Sequence, residues 1–276
     1  MGRNRDAPDT SELVERLRRH LEVLGLTHTI EHLGEYLAWA EHEHPAPGAL
    51  LDRVFGEQAQ LKRERRIERR IEASNLYARK TLEAFDWAFQ PGLDKSVLTG
   101  LADLEWVRRA EDLILTGKSG TGKSHLLMAF GLRACQQGLS VRYARCVDLI
   151  DDLHAGLADG SYTERLKRWC APALLIIDDV GLGQVSKRDD EPTAAHTLYN
   201  LLDRRHSRTA TAITSNIKLS AWGRYLGDPT VAAAILDRLA MRALRIDIDG
   251  PSYRQRVAQE RAQQRGTAAP DDTTEA

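Results

Sequence analysis

The stretch LILTGKSGTGKSHLLMAFGLRA, Leu113 to Ala134, decides the fold. It opens on a short apolar run of strand type, and from Lys123 onward its apolar residues recur at helical spacing. Between the two, Gly117-Lys118-Ser119-Gly120-Thr121-Gly122-Lys123-Ser124 fits G-x-x-x-x-G-K-[ST] without exception. Glycines at 117, 120 and 122 let the backbone wrap so that successive N–H groups, Thr121 included, converge on phosphate oxygens. The helix beginning near Lys123 turns its positive end toward the same anion. Lys123 then faces the β- and γ-phosphates, and the Ser124 hydroxyl is a Mg²⁺ ligand. A glycine-rich turn without a ligand is the bland alternative, but a strand before and a helix after favour a nucleoside triphosphate site.

Downstream, short apolar runs alternate with helical patterns, the signature of an α/β fold built on a parallel sheet. Strands are expected at 113–116, 140–144, 173–178, 211–215 and 245–248. Helices are expected at 123–137, 147–157, 192–208 and 230–243. The run ALLIIDDVG places Asp178 and Asp179 at the carboxyl end of a buried strand, where α/β ligand sites lie. With the phosphate loop nearby, Asp178 becomes a metal ligand, and Asp179 the residue that orients or deprotonates the attacking water; alone, the pair could equally cap a helix. Asn216 ends the strand TAITS, either facing a γ-phosphate or serving as a turn residue. Arg238 and Arg242 share one helix face four residues apart, a solvated pair or a charge donated to a neighbouring subunit.

The first hundred residues have another character. Leu13, Leu17, Leu21 and Leu24 recur at helical spacing up to Gly25, followed by Ile30, Leu33, Leu37 and Ala40. Two prolines in EHEHPAPGALL mark a turn, and a third amphipathic stretch runs from Leu50 into LKRERRIERRIEASNLYARK. Lys62, Arg63, Arg65, Arg66, Arg69 and Arg70 crowd that helix, as a solvated face with Glu–Arg pairs or as a footprint for a phosphate backbone. His28, His32, His42 and His44 lack the cysteine or carboxylate spacing of a metal site. FDWAF (85–89) reads as packing where the two domains meet rather than as a base-stacking platform. A net charge of −1 carries no information on partners, because its distribution is uneven. The sequence has neither an apolar run of membrane-spanning length nor a secretory leader. Three cysteines without CxxC spacing argue against a disulfide framework and for a cytoplasmic location.

Taken together, LILTGKSGTGKSHL, LLIIDDVG, TAITSN, AWGRYLGDPTVAAAILDRL and IDIDGPSYR resemble the IstB family. These are the AAA+ ATPase helpers of insertion-sequence transposases, similar to the DnaC helicase loaders, and the resemblance spans residues 48–256. It implies an AAA+ P-loop sheet flanked by helices behind a small helical domain. By the same resemblance Lys123 and Ser124 occupy Walker A, and Asp178 and Asp179 Walker B. Asn216 falls at sensor 1, Arg238 at the arginine finger, and Arg254 near sensor 2. Asp179 departs from the glutamate found in many relatives, and GKSGTGKS from the commoner GPPGTGKT.

The implied protein uses ATP and Mg²⁺ and assembles as a homo-oligomer on double-stranded DNA, largely independently of sequence, to regulate or recruit a transposase. A replicative helicase loader is the alternative. A small-molecule phosphotransferase would need an acceptor pocket and an arginine-rich lid, for which no candidate stands out. Asp179 also leaves room for a nucleotide-gated scaffold without turnover. Expected domains are 1–78 (helical), 79–258 (AAA+) and a disordered acidic tail, 259–276.

Overall fold

A computed structural model describes residues 10–185 and 192–266 of the chain, which forms two compact units, Met1–Glu68 and Arg69–Ala276. In the first unit, α1 (Thr10–Val23) stops just before Gly25, whose φ of +63° a glycine adopts without strain. Next come α2 (Thr27–Glu31) and α3 (Leu33–Glu43), separated at His32, where the spacing predicts a single helical run. Helix α4 (Pro47–Ala73) begins on a proline, which costs nothing in a first turn that has no N–H partner to lose. Among the described residues of this unit, Thr29, Leu33, Tyr36 and Gln58 are buried, and the Gln58 amide oxygen accepts from both Thr29 N and Thr29 Oγ1.

The units divide at 68/69, ten residues earlier than expected, because the end of α4 and the residues after it pack with the second unit. Ile71 and Ser74 are buried, and the Ser74 carbonyl accepts from Tyr143 N at 2.7 Å. The second unit continues through two short helices, α5 (Lys95–Gly100) and α6 (Glu105–Arg108). Alternation then begins: β1 (Asp112–Gly117), α7 (Lys123–Gln136), β2 (Val141–Arg145), α8 (Cys146–Asp159), α9 (Tyr162–Cys170) and β3 (Leu174–Val180). After it come α10 (Ala194–Arg205), β4 (Ala210–Ser215), α11 (Trp222–Leu226), α12 (Pro229–Arg242), β5 (Ala243–Ile248) and α13 (Tyr253–Gly266).

All five strands are parallel, in the order β2-β3-β4-β1-β5. Strands β1, β3 and β4 are buried nearly throughout, which explains their continuous apolar runs. Because β4 lies between β3 and β1, the carboxyl ends that carry Asp178, Asn216 and the phosphate loop are neighbours. All five expected strands are present within a few residues.

Helix α9 is an addition to the expected elements: Leu166 and Trp169 are buried, and Tyr162, Arg165 and Cys170 lie half-buried on the same face. It is held on α8 by Arg165, which pairs with Asp152 at 2.5 Å and Asp159 at 2.7 Å. The expected disordered tail is corrected over 259–266, which continue α13; RQRVAQERAQQR consists largely of strong helix formers. Residues 267–276 lie outside the described residues. Among those described, no helix is long and apolar enough to cross a membrane.

One buried cation ties the base of the sheet together. Arg205, at the end of α10, is 1 % exposed and donates to Thr211 Oγ1 and to the carbonyls of Trp169, Cys170, Pro172 and Ala210. Burial pulls its pKa down to about 10. Arg205→Ala strands several buried carbonyls and leaves a cavity, so urea unfolding should show a loss of about 3 kcal/mol or more.

Candidate nucleotide site

The phosphate loop is shaped by positions that only glycine fits. Gly117 has a φ of +147°, and a Cβ there would collide with the Ile248 carbonyl. Gly120 (φ +85°) faces Ser252 in the same way, and Gly122 (φ +96°) faces the ring of Phe85. The loop is thus clamped between β5, the segment after it, and an aromatic wall. Gly120 O accepts from Tyr253 N at 2.9 Å, which brings the GPSYR segment against the loop.

Lys123 and Ser124 open α7. Lys123 is 4 % exposed, and its ammonium donates to Gly117 O at 2.8 Å and Lys118 O at 2.7 Å. Burial lowers its pKa to about 8, against the opposing pull of Asp179 and Asp178. A bound triphosphate would raise it again. Above pH 8, therefore, the free site is neutral at Lys123 and binding must take up a proton. Affinity for ATP should fall as pH rises through about 8, approaching tenfold per unit, as a titration between pH 7 and 9.5 would show.

Asp178 and Asp179 sit on a β-bulge. The register steps from Ile177↔Ile213 to Val180↔Ser215, so three residues of advance on β3 oppose two on β4. The extra residue turns successive carboxylates to different partners. Asp178 is 1 % exposed and accepts from Ser124 Oγ at 2.9 Å, Tyr143 OH at 2.8 Å and Thr214 Oγ1. Asp179 takes φ +62°, a left-handed conformation that aspartate tolerates better than most residues. Its N–H donates to Thr214 Oγ1 at 2.8 Å, and its Oδ1 accepts from Asn216 Nδ2 at 2.9 Å. Ser124 and Asp178 together offer a hydroxyl and a carboxylate, the hard oxygen donors that Mg²⁺ prefers.

Gly120 through Ser124, Asp179, Asn216 and Arg254 line a cavity of about 370 Å³; Asp178 is not among its lining residues and is bonded to Ser124, which is. The cavity's other wall is Tyr77, Lys80, Phe85, Phe89 and Gln90. Phe85, Asp86 and Phe89 of FDWAF therefore line this cavity. Phe85 meets His125 edge-on at 5.3 Å, and Phe89 meets Tyr253 at 5.5 Å. Gln90 Nε2 donates to Pro251 O at 2.9 Å, which fixes the wall to the segment carrying Arg254.

Sequence reasoning missed Tyr143, Thr214 and this aromatic wall. Tyr143 and Thr214 look like ordinary strand residues, and only the sheet order brings them to Asp178. Burial and the neighbouring carboxylates, Asp178 foremost, raise the pKa of Tyr143 and keep it a hydrogen-bond donor.

Arg238 is not among the residues lining the cavity. On α12 it pairs with Asp203 at 2.6 Å and donates to Tyr199 OH at 2.9 Å, both on α10. The six basic residues lie on α4. Lys62, Arg63, Arg65, Arg66 and Arg69 are exposed and Arg70 half-buried. Among the described residues, no carboxylate pairs with any of the six.

Comparison with known proteins agrees with this geometry. Residues 19–261 match the family described as IstB-like ATP binding protein. The chain is 35% identical over 191 residues to an insertion sequence IS21 ATP-binding protein of Pseudomonas aeruginosa, covering 69% of this chain and 70% of that one. It is 29% identical over 242 residues to an insertion sequence IS5376 ATP-binding protein of Geobacillus stearothermophilus, covering 88% and 94%. Among solved structures it resembles the AMPPCP-bound DnaA of Aquifex aeolicus, with a TM-score of 0.52 and 20% identity over 69% of this chain and 56% of that one. At that identity the likeness concerns the fold alone, which is that of an AAA+ domain.

Proposed function

Since the chain belongs to the IstB-like ATP-binding family, we propose that it is the helper ATPase of an insertion-sequence transposase, binding and hydrolysing ATP to assemble on DNA. The observation that carries this is that Ser124, Asp179 and Asn216 line one cavity with the phosphate loop, with Asn216 bonded to Asp179 and Ser124 to the buried Asp178.

The residues divide the work. Loop N–H groups and Lys123 hold the β- and γ-phosphates, while Phe85 and Phe89 offer apolar faces to the base. Ser124 and Asp178 would hold Mg²⁺, which neutralises phosphate charge when bound. Tyr143 and Thr214 keep the Asp178 carboxylate in place. Asp179, steadied by Asn216, orients the attacking water and accepts its proton. Arg254 reaches the same cavity, and Arg238 completes the cavity of a neighbouring copy, so that ATP links subunits in a homo-oligomer. Asp179 is one methylene shorter than glutamate but still lines the cavity, which supports turnover over a nucleotide-gated scaffold.

The DNA contact is assigned to α4. Lys62–Arg66, Arg65–Arg69 and Arg66–Arg70 are like charges four residues apart, each costing the helix roughly 0.2–0.5 kcal/mol, a repulsion that a phosphate backbone relieves. No base-reading pattern accompanies them, so binding rests on backbone charge. The test is duplex affinity against salt for a Lys62→Ala, Arg66→Ala, Arg69→Ala chain. Its slope of log K against log salt should be shallower by roughly 3, whatever the duplex sequence. An unchanged slope would remove α4 from the DNA contact. Faster ATP turnover with duplex DNA is expected of the intact chain; indifference to DNA would favour a phosphotransferase.

A further inference from the structure

The amino-terminal unit holds a group of side chains that the nucleotide cycle does not use. His28, Glu31 and His32 each bring one ligand-capable atom within 4.8 Å of the others. The spacing is H-x-x-E-H; histidines four residues apart can present two imidazoles to one metal, and here His28 lies in α2 and His32 at its C-cap, with Glu31 between them. The sequence reading discounted these histidines for want of a carboxylate; Glu31 supplies it.

Three features beyond proximity make this a prepared site. His32 Nδ1 donates to the His28 carbonyl at 3.0 Å, so in the neutral ring the lone pair sits on Nε2. A backbone carbonyl behind the far nitrogen is the usual support of a metal-bound histidine. Glu57, from α4, stands 3.5 Å from His28 Nε2 and is itself gripped by the Tyr36 hydroxyl, so a carboxylate backs the second imidazole too. The turn carrying the ligands is also pinned, because buried Thr29 bonds to buried Gln58, the residue next to Glu57. The two rings already lie with centroids 4.1 Å apart. Tetrahedral zinc needs ligand atoms about 3.3–3.5 Å apart, which side-chain rotation provides.

We propose that His28, Glu31 and His32, backed by Glu57, bind one divalent transition-metal cation of the zinc type and so fasten α2 to α4. Hard cations such as Mg²⁺, which prefer all-oxygen sites, are disfavoured here.

The test uses the full-length, tag-free chain titrated with Co²⁺, followed by absorbance, with Zn²⁺ as competitor. One equivalent should bind at about 1 μM or tighter, and Zn²⁺ should raise the thermal midpoint of the chain. A His28→Ala, His32→Ala chain should lose at least about 100-fold in affinity and the thermal shift, and Glu31→Gln about 10-fold. Circular dichroism of the apo variants confirms that they fold. If the double variant binds zinc as tightly as the parent, the metal sits elsewhere and the proposal fails; it fails equally if the parent binds none. The result is independent of ATP turnover.

Discussion

Lys123→Ala should weaken ATP binding by about 100-fold or more, with loss of all measurable turnover at millimolar nucleotide. Lys123 is nearly buried at the start of α7, and its ammonium lies against the loop at the Gly117 and Lys118 carbonyls. Each charge-assisted hydrogen bond to phosphate contributes about 1.5–3 kcal/mol, and two together correspond to a 100-fold change or more. The substitution also removes the positive charge that interacts with Asp179 and Asp178, which further disfavours an anion. Fluorescent-nucleotide titration checks this. Binding within a few-fold of the parent would mean that the loop amides suffice and Lys123 acts only later in the cycle.

Arg238→Ala should separate binding from chemistry. Nucleotide affinity should hold within a few-fold, while DNA-stimulated turnover should fall on the order of 10³-fold, as when an arginine finger is lost. Position is the reason: Arg238 lies outside its own chain's cavity and is held on α10 by Asp203 and Tyr199. A partly exposed ion pair of this kind contributes under about 1 kcal/mol to stability, so unfolding cannot account for such a loss. Single-turnover assays on DNA give the rate, and normal turnover would remove Arg238 from the mechanism.

Much of this site was legible in the sequence because its geometry is local. The phosphate loop is one unbroken strand–turn–helix segment, and Gly117, Gly120 and Gly122 announce themselves by type. Asp178 and Asp179 were legible because two carboxylates closing an apolar run mark the carboxyl end of a buried strand, although β3 runs on through both to Val180. The contacts that join them to the loop are not local. Tyr143 and Thr214 reach Asp178 only through the order β2-β3-β4-β1, which no spacing encodes. Phe85 and Phe89 lie outside any periodic element, and their place opposite Gly122 comes from a tertiary contact. Helix α9 carries its own amphipathic pattern, with Tyr162, Arg165, Leu166, Trp169 and Cys170 on the inward face, but it is short and one inward position is the charged Arg165, which its ion pairs with Asp152 and Asp159 allow. The edge of the first unit was misplaced for a related reason: one helix, α4, serves both units, and charge runs through the boundary without a break.

The central claim, an ATP site shared between copies on DNA, is most directly tested by mixing two inactive chains. Lys123→Ala lacks a working cavity but keeps Arg238, and Arg238→Ala has the reverse defect. With random head-to-tail mixing at equal amounts, about a quarter of the sites combine an intact cavity with an intact neighbouring arginine. DNA-stimulated hydrolysis should therefore return to about a quarter of the parent rate on mixing. If the mixture stays as inactive as its separate components while both chains still assemble on DNA, Arg238 does not act across a subunit boundary.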